Sequence, residues 1–192
     1  MANTNHMSVF IDRYFDETRA ILEKIDKVSI SRMIELLKDV RGRQGRLFII
    51  GIGGSAANAS HAVNDFRKIG GIETYSPCDN FAEFSAWAND SGWGTPFIEW
   101  LKESHCSAKD ALMILSVGGG TPTTSPNIVS ALEHARAVGA TTLSLVSRDG
   151  GRSAQLCDCT ILVPVVCPER ITPHAEGMQS VLLHLVVNGL NG

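Results

Sequence analysis

Hydrophobic positions along this chain follow two rhythms. Between residues 8 and 39, Phe10, Ile11, Tyr14, Phe15, Ile21, Leu22 and Ile25 recur at threes and fours, the spacing of one helix face. Val28-Ser29-Ile30-Ser31 interrupts the pattern, and Ser31 is expected to cap a second helix through Met33, Ile34, Leu36 and Leu37. From Arg46 onward the rhythm changes. Apolar runs at 47–50, 111–117, 141–146 and 160–166, with a shorter one at 72–76, predict five strands. Helical patterns lie between and after them, from residue 54, then at 81–88, 96–105, 126–138, 153–157 and 174–190. Strands without polar alternation are covered on both faces, and strands alternating with helices make a parallel sheet. The expected fold is α/β, a three-layer αβα sandwich on a five-stranded parallel sheet, preceded by N-terminal helices. A chain of 192 residues without repeats or a low-complexity linker fits one domain, with a helical region at 8–40 and an α/β core at 46–192.

Composition removes several classes of function. A net charge of −3 offers no electrostatic case for nucleic acid. No apolar run approaches the ~20 residues that span a bilayer. The start, MANTNHMSVF, lacks the basic and apolar regions of a secretory signal. The cysteine count of five is odd and contains no CxxC pair, which suits reduced thiols and a cytoplasmic location. Cys157 and Cys159 form a CxC without a second ligand pair, and read as strand-edge residues. The arginines of RGRQGR at 41–46 read as a solvated connection.

Chemistry concentrates where strands end. The first strand stops at Gly51-Ile52-Gly53-Gly54-Ser55 and a helix follows at once, which exposes backbone N–H groups at the positive end of a helix dipole. The segment is neither GxGxxG nor a Walker A loop, so dinucleotide and triphosphate sites are not expected. Ser116, Gly118, Gly119, Gly120 and Thr121 form a second nest after the next core strand. Neither loop contains Lys or Arg, which suits a monophosphate ester held by dipoles. His61 and Asp65 lie one turn apart on the first of these helices. Glu176 and His184 lie on the last helix, about 80° and about 12 Å apart, so either they share a site that runs alongside that helix or they serve neighbouring sites. His174 is a competing candidate.

With these motifs placed, the chain resembles the phosphoheptose isomerases of the sugar-isomerase (SIS) fold, which is flavodoxin-like. GIGGSAANASH resembles their GNGGSAADAQH segment, and Ala88-Asn89-Asp90 their "ND" loop. Residues 116–127 stand in the place of their StSGNSPN phosphate loop. Asp149-Gly150-Gly151 resembles their "GG" turn, and His184 matches their final-helix histidine. The resemblance runs from about residue 11 to residue 190. It implies isomerisation of sedoheptulose 7-phosphate to an aldoheptose 7-phosphate. Ser55, Ser116 and Thr121 would hold the phosphate with the backbone of Gly53, Gly54, Gly118 and Gly119, with Ser125 an alternative to Thr121 as the last hydroxyl. Asn89 and Asp90 would bind the sugar, Asp90 at its hydroxyls. Asp65 would be the base and His184 its partner. Some members bind zinc, here implying His61, Asp65, Glu176 and His184. The family also implies a homotetramer with sites at subunit interfaces.

Several positions depart from the family pattern. Ile52 replaces an Asn, Asp65 a Glu and Glu176 a Gln. The phosphate loop carries a four-residue insertion, with Gly118 in place of its central serine. The departures suggest a different phosphosugar or a stronger metal dependence. A related reading is a non-catalytic SIS protein that binds a protein partner or senses phosphosugars.

Overall fold

A computed structural model describes residues 2–192, with side chains from Met7 onward. Met1, where the expected leader-free start begins, lies outside the described residues. Two helices, α1 (Ala2–Lys24) and α2 (Lys27–Gly42), precede β1 (Leu47–Gly51), α3 (Gly54–Lys68) and the short β2 (Thr74–Tyr75). Next come α4 (Phe81–Ser91), α5 (Pro96–Glu103), β3 (Ala111–Leu115) and α6 (Pro126–Ala137). β4 (Thr141–Val146), α7 (Gly151–Leu156), β5 (Cys159–Leu162) and α8 (Ile171–Gly189) complete the chain.

The strands form one parallel sheet in the order β2-β1-β3-β4-β5. This is the expected flavodoxin-like sandwich. Every residue of β1 and β3 is buried, because helices cover both faces. Side-chain alternation divides the core in two. Leu47, Ile49 and Met113 face a layer containing Met33 and Leu37 of α2, Phe66 of α3 and Leu182 of α8. Phe48, Ile50 and Leu112 face the opposite layer, with Phe97 of α5 and Leu132 of α6. No helix among the described residues is long and apolar enough to cross a membrane.

Three local expectations change. The break between α1 and α2 falls at Asp26, not at Ser31, whose hydroxyl donates back to the Lys27 carbonyl inside α2. The Asp26 carboxylate accepts from the Val28 and Ser29 amides at 2.9 and 3.2 Å, satisfying otherwise orphaned donors. Helix α4 continues through Ser91, so Asn89 and Asp90 occupy its last turn, not a loop. The arginines of 41–46 are not simply solvated. Arg46 pairs with the buried Asp110 carboxylate at 2.9 Å. Arg43 donates to the Lys109 carbonyl and to Thr141 Oγ1, both at 2.7 Å, and Arg41 to the Leu190 carbonyl at 2.8 Å. They fasten strand starts and the residues after α8, at the edge of the sheet opposite the C-terminal strand ends.

Candidate active site

The chain leaves β1 for β2 on one side and returns to β3 on the other. That reversal opens a crevice beyond the C-terminal ends of β1 and β3. A cavity of about 390 Å³ lies there. Ile52 and Ser55 line it from the β1–α3 turn. Ser116, Gly118, Gly120, Thr121 and Ser125 line it from the β3–α6 loop, and Arg148 and Asp149 from the β4–α7 turn.

The β3–α6 loop is held tightly. Ser116 Oγ accepts from the Gly119 amide at 3.0 Å. The Gly119 carbonyl accepts from both the Ser153 amide (3.0 Å) and its hydroxyl (2.7 Å). Gly119 has φ +69°, and a Cβ there would lie 1.8 Å from the Gly150 carbonyl oxygen, so only glycine fits. Within the insertion, Thr121 Oγ1 accepts from the Thr124 amide at 2.9 Å, which engages that hydroxyl locally. Ser125, at φ +59°, begins α6 without a side-chain cap bond. Its hydroxyl is the less occupied of the two alternatives.

Helices α3 and α8 lie side by side and run the same way, which places Gly54 beside Glu176 and His61 beside His184. Between these ends, Asn58 Nδ2 donates to the Glu176 carbonyl at 2.9 Å and to Gln179 Oε1 at 3.2 Å. At the far end, Asp65 Oδ2 stands 3.3 Å from both His61 Nε2 and His184 Nε2, which are themselves 3.2 Å apart. The three form the metal-capable group found among the described residues. The Ser180 carbonyl lies 2.8 Å from His184 Nδ1 and can only accept, so Nδ1 carries hydrogen and neutral His184 turns its Nε2 lone pair to the cluster. A carboxylate oxygen and a lone pair facing each other need a cation between them, either a proton or a metal. Ligand atoms about 2.0–2.1 Å from a tetrahedral ion stand about 3.3–3.4 Å apart. The observed triangle fits that spacing.

Glu176 stands apart from this cluster. Its carboxylate lies over the start of α3, where a Cβ on Gly54 would meet Oε2 at 2.4 Å. Gly53, at φ +63°, makes the sharp entry to α3. Asn89 and Asp90 are exposed, Asn89 donating to Asp90 Oδ1 at 2.8 Å, and neither lines the cavity. His174 is buried elsewhere, 2.8 Å from Glu17 Oε2 and packed at a tilt against Tyr14, with 4.5 Å between ring centres. Burial pushes the Cys157 thiol up to about 12, which opposes the thiolate a metal would need.

The sequence reading missed Arg148. The cation absent from both glycine loops comes from the third, β4–α7 turn. Its signal was available, as a basic residue directly after a parallel strand, where such sheets build their sites.

A crevice with room for a sugar phosphate at the switch point, on the helix that carries the His/Asp cluster further along, is the arrangement of a sugar-phosphate domain, and residues 13–147 match the SIS domain family. The chain belongs to that family. Within it the chain belongs to the phosphoheptose isomerases, which are aldose–ketose isomerases. It is 31% identical over 172 residues to the phosphoheptose isomerase of Helicobacter pylori (strain P12), covering 86% of this chain and 82% of that protein. It is 28% identical over 188 residues to that of Trichlorobacter lovleyi, covering 94% and 91%. The structure of phosphoheptose isomerase from Neisseria gonorrhoeae shares the fold, with a TM-score of 0.83 at 23% identity over 96% of this chain and 99% of that one.

Proposed function

We propose that the chain interconverts sedoheptulose 7-phosphate and glycero-manno-heptose 7-phosphate. A proton moves between C1 and C2 through an enediol(ate). The observation that carries this reading is Asp65 Oδ2 at 3.3 Å from two imidazole nitrogens, on a helix whose start lines a cavity large enough for a sugar phosphate. Asp65 acts as the base at the C–H bond. With no metal in the cluster, His184, its Nδ1 hydrogen directed to Ser180, exchanges protons with the sugar oxygens through Nε2; with zinc bound, the same lone pair is a ligand, and the role at the oxygens passes to the ion. Ser55, Ser116 and the Gly118–Gly119 backbone hold the phosphate, with Ser125 as the last hydroxyl. His61, Asp65 and His184 would hold zinc, and three protein ligands is the number catalytic zinc sites use. When bound, zinc supplies Lewis-acid polarisation of the carbonyl. Glu176, over Gly54, stays outside that set.

Enediolate chemistry requires that water be excluded, yet the His61 and His184 side chains are 57% and 49% exposed. We infer that a second subunit closes this seam. Val181 and Leu185 flank His184 as exposed apolar residues, and Phe10, Ile11 and Phe15 of α1 are exposed as well. A homotetramer with sites at its interfaces accounts for both observations. The free cysteines suit a cytoplasmic setting.

The test is a panel of ketose phosphates, with and without added zinc, read by proton exchange at C1. Exchange on the heptulose phosphate supports the reading, and exchange on a different member renames the substrate. Ile52, apolar on the cavity wall where the family has Asn, favours a second reading as a non-catalytic phosphosugar binder. Binding without exchange on any member would establish that alternative.

A further inference from the structure

We propose that Arg148 is the charged arm of the phosphate site, gripping the phosphoryl dianion in place of the loop hydroxyl that Gly118 removes. The inference rests on the sugar-phosphate reading and adds a binding residue to it.

Three observations carry the proposal. Arg148 is the positively charged residue among those lining the cavity, and it makes no ion pair with any described residue. The neighbouring acid, Asp149, is partly committed, since its Oδ1 accepts from the Gly151 amide at 3.1 Å. Second, the Arg148 stem passes over Gly118, its Cδ lying 3.9 Å from where a Gly118 Cβ would be. The side chain therefore crosses the phosphate loop where the family's serine would stand. Third, the Arg148 backbone is left-handed, at φ +54°, within a tight turn closed by the Gly150 amide donating to the Ser147 carbonyl at 2.9 Å. Gly or Asn adopts that conformation without Arg's backbone strain. Arg here gives up local stability for something the turn does not need.

A guanidinium matches this task. It is always charged, and its fork presents paired donors to two phosphoryl oxygens. The neutral loop contributes Ser55, Ser116 and backbone amides, which orient the group without balancing its charge. The ligand chemistry is accordingly a phosphomonoester dianion, and binding should weaken with salt more than a purely dipolar site would.

The experiment uses calorimetric titration of the intact protein with inorganic phosphate, beside thermal melting. Arg148→Asn suits the left-handed turn, so it should melt no lower than wild type. We expect it to bind phosphate about tenfold or more weakly, the scale of a lost charge-assisted hydrogen bond, and to raise KM for the ketose phosphate similarly. Arg148→Lys should restore part of the affinity. Phosphate affinity in Arg148→Asn within about twofold of wild type would overturn the proposal while leaving the isomerase reading intact. Phosphate binding that depends on Arg148, without C1 exchange on any ketose phosphate, would support the proposal and remove the isomerase reading.

Discussion

Asp65 Oδ2 serves two imidazoles at once, at 3.3 Å each, and its side chain is only 13% exposed. Asp65→Asn keeps the shape and removes both the proposed base and the charge. We expect C1 exchange to fall below detection while inorganic phosphate still binds. Turnover at the wild-type rate would remove Asp65 from its role. Gly119 bears a different kind of constraint. A Cβ there would be 1.8 Å from the Gly150 carbonyl oxygen, and φ +69° is strained for any other residue. Gly119→Ala should therefore destabilise the fold by more than about 2 kcal/mol, in denaturant melts, and weaken phosphate binding as the loop shifts. The sequence marked both residues, Asp65 by its spacing from His61 and Gly119 by its glycine run. Arg148 is marked only as a basic residue after a strand, and nothing local ties residue 148 to residues 55 and 116. Only the strand order places their loops together.

Helices decide the next level. Helix α1 is fastened to α8 through Glu17, which accepts from Arg170 Nε at 2.9 Å and lies 2.8 Å from His174 Nε2. The hydrogen bond from Arg170 and then that from His174 hold the Glu17 carboxyl at about 2 instead of 4.5. A depressed carboxyl stabilises the fold at pH above its unfolded value, and that contribution is lost as pH falls through the folded one. Thermal stability should accordingly decline between about pH 4.5 and pH 2 through this group, and Glu17→Gln should flatten that part of the profile. An unchanged slope in the variant would show that the clamp does not couple to folding. The α3–α8 seam was half legible. Helical spacing placed Glu176 and His184 about 12 Å apart along α8, and required a site running alongside the helix if both were to share it. The structure supplies such a seam but divides it. His184 meets Asp65 and His61 at one end, and Glu176 covers Gly54 at the other. Sequence periodicity gives each helix's own face; the direction and register of two packed helices come from the sheet beneath them.

For the whole molecule, the proposed assembly would cover the exposed apolar residues of α1 and the open His61–His184 pair. Phe15 is 56% exposed, so Phe15→Glu should leave the chain's own melting nearly unchanged. If α1 packs between subunits, gel filtration should show the variant smaller than wild type, with isomerase activity falling alongside. A wild-type protein that elutes only as a monomer would contradict the closed-site picture.

Continuous apolar runs determined the parallel sheet, since a strand buried on both faces has no polar alternation to display. Glycines at strand ends marked the candidate anion sites, because the backbone N–H groups they expose are local properties. The matched motifs also reached the family. The tertiary structure alone decided which side chains share a site. Arg148, Ser116 and Ser55 line one cavity because three strands end at one edge, whereas Glu176 leaves His184 because the rise along α8 carries it to the other end of α3. These groupings join residues distant in the chain, and their spacing in space is set by strand order and helix packing.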